Sequence, residues 1–190
     1  MANWLVKAGA IAPAVMIIPM IAGLLVGEHN SISQHMSELQ LLGGWPLWSV
    51  RISAFLAGLV IILFAIGCFI MKRGFSWTGL VALAFGAGMA SNGIFIIGSP
   101  WHGLYGMPIF SLLVPAFFVA EYQVKLSWKP LVVLSLAAST LNLFYMWFLF
   151  VGLDPEAYRG LTQRAATLVM FGWFALAAFA VSQEERGLIP

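Results

Sequence analysis

The sequence predicts an all-α integral membrane fold: a bundle of six transmembrane helices, N-in and C-in, with short loops and a short surface helix between the first two spans. Three observations carry that expectation. Of 190 residues, 62% are apolar and only 8% are Asp, Glu, Lys or Arg, whereas a soluble domain carries about 25% charged residues. Mean hydropathy is +0.96. The few charges sit almost entirely in short gaps between six apolar runs. A hydrocarbon core about 30 Å thick takes about 20 apolar residues per helix, so six runs use roughly 120 residues and leave no room for a soluble domain. The chain reads as a single transmembrane domain over 1–190, with spans at about 8–27, 48–71, 78–98, 103–122, 130–150 and 161–182.

The first span follows Lys7. The apolar stretch from Leu5 to Gly27 is too long for a signal-peptide core and closes on no small-residue cleavage site, so it reads as a retained helix. Pro13 and Pro19 lie inside it, and their kinks are expected to shape packing. The gap Glu28 to Pro46 is the longest. Ser31-x-x-Gln34 has the form of a capping box, so a short helix is expected over about 32–42, stopped by Gly43-Gly44. On it His35 and Glu38 share a face, and Leu39, Leu41 and Leu42 turn to lipid.

The second span carries Arg51 just inside its start, where a charge needs a partner. Its lone Cys68 reads as a small buried residue. The third span carries Ala82, Gly86 and Ala90 at four-residue spacing with Gly79 and Gly93 near its ends, the pattern of a close helix contact. Ser91 and Asn92 are its polar residues, and the gap Ser99-Pro100-Trp101-His102-Gly103 follows.

The fourth span holds Pro108 and Pro115, and ends at Glu121, expected to pair with Lys125. The fifth holds Ser139, Thr140 and Asn142, expected to bond between helices, and Trp147, expected to pack between them. Before the sixth, Asp154, Pro155 and Glu156 form a helix-start signal, with Gly160 ending that short turn. Arg164 lies about one turn inside the sixth span; Glu38 is its expected partner. Trp173 is expected to pack between helices.

Counting Lys and Arg near the span ends gives six on one side (Lys7, Lys72, Arg73, Lys125, Lys129, Arg186) and three on the other (Arg51, Arg159, Arg164). The positive-inside rule then places both ends in the cytoplasm, in an inner (plasma) membrane.

The balance of +2, with no Lys/Arg cluster longer than Lys72-Arg73, excludes a nucleic-acid surface. No acid lies mid-span, which argues against proton coupling. Nucleophile-elbow, phosphate-loop and dinucleotide motifs are missing from the sequence. The polar residues of the outer gaps are expected to converge, placing the ligand-binding candidates His35, Glu38, His102, Gln163 and Arg164 around one mouth with Asn92 on its floor. No cofactor is predicted. Zinc on His35, Glu38 and His102 is the weaker alternative: the atoms suit a three-ligand site, but no spacing fixes the geometry.

SISQHMSEL before the second span, the His102-Gly103 step and GLTQRAATLVMFGW opening the sixth resemble, in order and spacing, the prokaryotic six-helix membrane family called domain of unknown function 998. The resemblance covers roughly residues 9–182. It implies six helices and a shared outer cluster at Glu38, His102 and Arg164, with no established activity. Members often carry an acid near the fourth-helix histidine, where this chain reads GSPWHG.

The leading functional expectation is binding of a lipid head group or small amphiphile through Arg164 and the polar mouth. The alternatives are a structural subunit of a membrane complex and an intramembrane lipid hydrolase, metal-dependent or not. Expected partners are membrane lipid and either a second copy or a larger membrane complex.

Overall fold

The computed structural model describes residues 2–123, 126 and 128–188. Among them every regular element is helical. The chain runs α1 (Ala2–Ala8), α2 (Ile11–Leu25), a 3-10 segment Met36–Leu42, α3 (Gly44–Lys72), α4 (Trp77–Ile94), a 3-10 segment Leu104–Leu112, α5 (Val114–Tyr122), α6 (Lys129–Val151) and α7 (Arg159–Glu185).

Four stretches are long and apolar enough to cross a membrane: Ala2–Leu25, Gly44–Lys72, Lys129–Val151 and Arg159–Glu185. A fifth results if Leu104–Leu112 and Val114–Tyr122, bent by 49°, form one span. Two of the six expected runs thus differ from plain spanning helices. The run expected at 78–98 is helical only over Trp77–Ile94, 18 residues diluted by glycines, Ser91 and Asn92. The run expected at 103–122 begins with four residues of positive φ, Gly103, Leu104, Tyr105 and Gly106. No L residue sustains a left-handed helix, so regular α-helix is delayed to Val114, and Pro115 at its start marks the bend. The N–H of Ala116 donates to Ser139 Oγ at 3.2 Å, which replaces the helix bond that the break removes.

The tightest helix contact is where the small residues predict it. A Cβ on Gly86 would lie 2.9 Å from the Gly58 carbonyl oxygen, and one on Gly93 would lie 2.5 Å from that of Arg51. A Cβ on Gly58 would strike the Ala90 backbone nitrogen. α3 and α4 therefore pack backbone to backbone. Arg51 finds its partner here: Nε and Nη2 donate to the carbonyls of Gly93 and Ile94, at 2.9 and 2.6 Å. A cation on the last carbonyls of α4 complements the negative end of that helix.

An aromatic core joins α3, α4, α5 and α7. Phe64 packs edge-on to Trp173 and Phe174, and Phe118 edge-on to Trp173. Trp173 is buried as expected and donates to Ser135 Oγ at 2.8 Å. Cys68 is buried as expected. Trp147 is not: it is 60% exposed, on a face of α6 shared with the exposed Leu143, Phe144 and Phe150. Such an apolar outer face fits a lipid environment, where Trp needs no protein partner.

At one end of the bundle Glu121 caps α4. Its carboxylate accepts from the N–H groups of Trp77 and Thr78, at 2.8 and 3.1 Å, and from Ser76 Oγ at 2.7 Å. That role at a helix N-terminus was not legible from Glu121's neighbours; the expected partner Lys125 lies outside the described residues. Lys7 and Asn3 reach Glu185 at the same end. The opposite end carries the candidate site.

Candidate functional site

The gaps after α2, α4 and α6 do converge, as hydrogen bonds among them show. Gln40 Oε1 accepts from the Ile97 N–H at 3.0 Å, and His35 Nε2 stands 3.3 Å from Asp154 Oδ2. Two distinct assemblies result.

The first stitches the loop after α2 to the start of α7. Arg164 is its centre. Nη1 donates to the carbonyls of Ser31, Gln34 and Gly160 at 2.6, 3.1 and 2.8 Å. Nη2 donates to Ser31 Oγ and His29 Nε2 at 3.2 and 3.1 Å. The expected Arg164–Glu38 pair does not form. Glu38 instead stands 3.2 Å from Arg159 Nη2, and its Oε1 accepts from the His35 N–H at 2.9 Å. A guanidinium presents five donors in a rigid fork, so neutral acceptors hold its two terminal nitrogens as a set where no carboxylate reaches, while Nε is buried without a partner among the described residues. Gly160 is part of the same clamp rather than the end of a turn. It lies inside α7, and a Cβ there would collide with the Gln34 carbonyl oxygen and sit 2.7 Å from that of Ser31. The Leu161 N–H donates to the Ile32 carbonyl at 3.0 Å, and Arg159 Nε to that of Ser33 at 2.8 Å.

His29 belongs to this clamp although nothing in its sequence context singles it out. It is buried, and because arginine only donates, its Nε2 accepts and the ring is neutral. Burial holds the imidazole below its usual range, the Arg164 charge adds to that, and Glu38 opposes it.

The local helix also differs from expectation. The 3-10 segment starts at Met36, with His35 at its N-cap, and not at residue 32. Asn30 Oδ1 accepts from the N–H groups of Ile32 and Ser33, and Gln34 Oε1 accepts from Asn30, so residues 30–34 form a side-chain-closed turn. Leu39 turns inward and is fully buried, while Leu41 and Leu42 stay exposed. Asp154 does not open a helix at Pro155. α7 begins at Arg159, and Asp154 Oδ1 accepts from Thr162 Oγ1 at 2.8 Å.

The second assembly is a cavity of about 250 Å³ beneath the 3-10 segment Met36–Leu42. Its wall is apolar apart from Ser37, Gln40, Asn92, His102, Tyr145, Gln163 and Thr167. Pro19 and Pro108 are among the residues that border it. Gln163 joins the two assemblies: it lines the cavity while its Oε1 accepts from the Met36 N–H at 2.6 Å. His102 Nδ1 donates to the Phe95 carbonyl at 2.8 Å. Asn92 Oδ1 and Gln40 Nε2 are buried without a protein partner.

Of the six sequence candidates, Asn92, His102 and Gln163 therefore line the cavity, and His35, Glu38 and Arg164 hold the loop beside it. Gln40, Tyr145 and Thr167 are cavity residues that sequence reasoning missed. Gln40 sits in what reads as an amphipathic surface helix. Among the described residues no three His, Cys, Asp or Glu side chains converge as metal ligands.

Comparison with curated proteins returns no match, and comparison with solved structures returns none. A family model described as "Protein of unknown function (DUF998)" matches residues 9–180, and the chain belongs to that family.

Proposed function

We propose that this integral membrane protein binds a small amphiphile or lipid in the cavity beneath Met36–Leu42, with the polar head toward Gln40, Asn92 and His102. The carrying observation is Gln40. It lines the cavity and is 2% exposed, its oxygen accepts from the Ile97 N–H, and its nitrogen has no protein partner among the described residues. A mostly apolar pocket with a few placed polar groups is the usual form of a small-molecule site. The volume sits just under the roughly 300–1,000 Å³ of drug-sized pockets, which suits a single alkyl chain with a compact head. Arg164 is not the ligand's contact in this reading, because it is not among the lining residues and both of its terminal nitrogens already serve the loop.

The reading includes six membrane crossings with both ends in the cytoplasm of a plasma membrane, so that the cavity lies in the outer half. The distribution of Lys and Arg supports it, as does the joining of the three outer gaps. A structural subunit is the second reading, favoured by one observation: Arg51, Arg159 and both terminal nitrogens of Arg164 find acceptors within the chain. An intramembrane hydrolase has less support. The carboxylate beside His35 takes a threonine hydroxyl on its other oxygen, which leaves that hydroxyl bound to the acid and not to the imidazole.

Lipid extraction and mass spectrometry of the purified protein, beside an Ala54→Phe variant that fills the cavity, test the proposal. One amphiphile species enriched over bulk lipid in the wild type and lost in the variant supports binding. Equal bulk lipid in both leaves the structural reading.

A further inference from the structure

The chemistry of the wall narrows what the cavity takes. Among the described residues no Asp, Glu, Lys or Arg lines it. The three arginines at this end of the bundle are engaged elsewhere: Arg51 on the carbonyls that end α4, Arg159 on Glu38 and the Ser33 carbonyl, and Arg164, through both terminal nitrogens, on the loop after α2. A phosphate or sulfate moved into this space would leave water without gaining a fixed countercharge, which is strongly unfavourable.

The wall offers uncharged hydrogen-bonding atoms instead. The Ile97 N–H fixes the Gln40 amide with its oxygen outward from the cavity's needs, so Gln40 presents NH₂ donors. Asn92 presents a carbonyl oxygen, buried and without a protein partner, at the Gly103 side of the wall, where a Cβ would stand 3.6 Å away. A donor on one lining residue and an acceptor on another match a group that both accepts and donates. Five of the chain's nine methionines, Met16, Met36, Met89, Met146 and Met170, form much of the remaining wall. Unbranched thioethers repack around ligands of varied shape, so this part of the wall tolerates differing alkyl chains.

Building on the proposed cavity function, we infer that the cavity selects amphiphiles by an uncharged head carrying a hydroxyl or carboxamide, and discriminates weakly among their chains. Gln40 and Asn92 are the specificity-determining residues, and phosphate-bearing lipids are excluded from the cavity itself.

The test is competition against a fluorescent long-chain alcohol bound to the full-length protein in nanodiscs. Competitors share one chain length: dodecanol, dodecanamide, dodecyl phosphate and dodecane. Dodecanol and dodecanamide are expected to displace the probe at least roughly tenfold more effectively than dodecyl phosphate or dodecane, the factor that one buried hydrogen bond supplies. Gln40→Leu and Asn92→Leu are each expected to bring dodecanol down to the level of dodecane while leaving dodecane unchanged. Dodecyl phosphate competing as well as dodecanol overturns the inference and leaves the cavity reading standing. Saturable binding with dodecane equal to dodecanol overturns it too, because the amides are then satisfied by water alone. No saturable probe binding at all overturns both. The wild-type ranking decides even if a variant fails to fold.

Discussion

Replacing Arg164 by methionine keeps an unbranched stem and removes the guanidinium. Three main-chain carbonyls lose a donor. The Gly160 carbonyl lies in the first turn of α7, where the helix's own N–H groups supply another donor. Those of Ser31 and Gln34 lie in a loop and depend on Arg164. A bond from a charged donor contributes about 1.5–3 kcal/mol. Two such bonds, discounted by about half because Arg164 is only half-buried and water replaces part of the loss, give roughly 1.5–3 kcal/mol. For a chain of this size that is a drop in Tm of roughly 3–12 °C. Intrinsic tryptophan fluorescence during heating in detergent measures it, and hydrogen exchange over residues 28–36 should rise in parallel. Arg164→Lys tests the geometry. One ammonium cannot span the same set of oxygens, so at least half of the drop should remain. A change under about 2 °C in Arg164→Met, or full recovery with lysine, would refute the clamp.

Gly160→Ala should cost as much as losing Arg164, since its Cβ meets two loop carbonyls, whereas Gly172→Ala, which meets nothing within 4 Å, should be neutral or stabilising by about 0.4–1 kcal/mol; thermal midpoints compare them. Trp173→Phe should lower stability by about 1–3 kcal/mol by leaving the buried Ser135 hydroxyl unpaired, and a double-mutant cycle with Ser135→Ala should show the coupling. Folded His29 has its pKa held below the usual 6.5, so the unfolded chain takes up the proton first as pH falls. Its contribution to stability is complete above about 6.5 and is lost as pH drops toward the folded value. Midpoints measured from pH 7.5 down to 5 should show that decline, and His29→Gln, whose amide oxygen accepts the same bond, should reduce it.

The residues explain why some features were legible and others were not. Gly86 and Ala90 announce a close contact by spacing alone, and Gly58 on the facing helix completes it. Burial of Cys68 and Trp173 follows from their apolar surroundings. Trp147 has the same surroundings in sequence yet faces outward, because an evenly apolar helix such as α6 carries no periodicity to tell lipid from protein. Arg164 could be recognised as a charge needing satisfaction, but its acceptors are main-chain oxygens, which no residue type signals. The same holds for Arg51. Glu38 found a different arginine because Arg159, at the first residue of α7, faces the loop directly. The left-handed turn at 103–106 includes Leu104 and Tyr105, which favour ordinary helix, so only its two glycines hinted at it. Gln40 was missed for a related reason: a surface helix and a lid over a cavity share one amphipathic pattern.

The most direct measurement of the central claim is a titration of the wild type and of Ala54→Phe, both in nanodiscs and both with confirmed thermal unfolding transitions, with a fluorescent long-chain alcohol. Ala54 lies on the cavity wall and is buried. The account predicts one saturable site per chain in the wild type and none in the variant. Equal probe uptake by both proteins, rising linearly with probe as simple partitioning does, would contradict it.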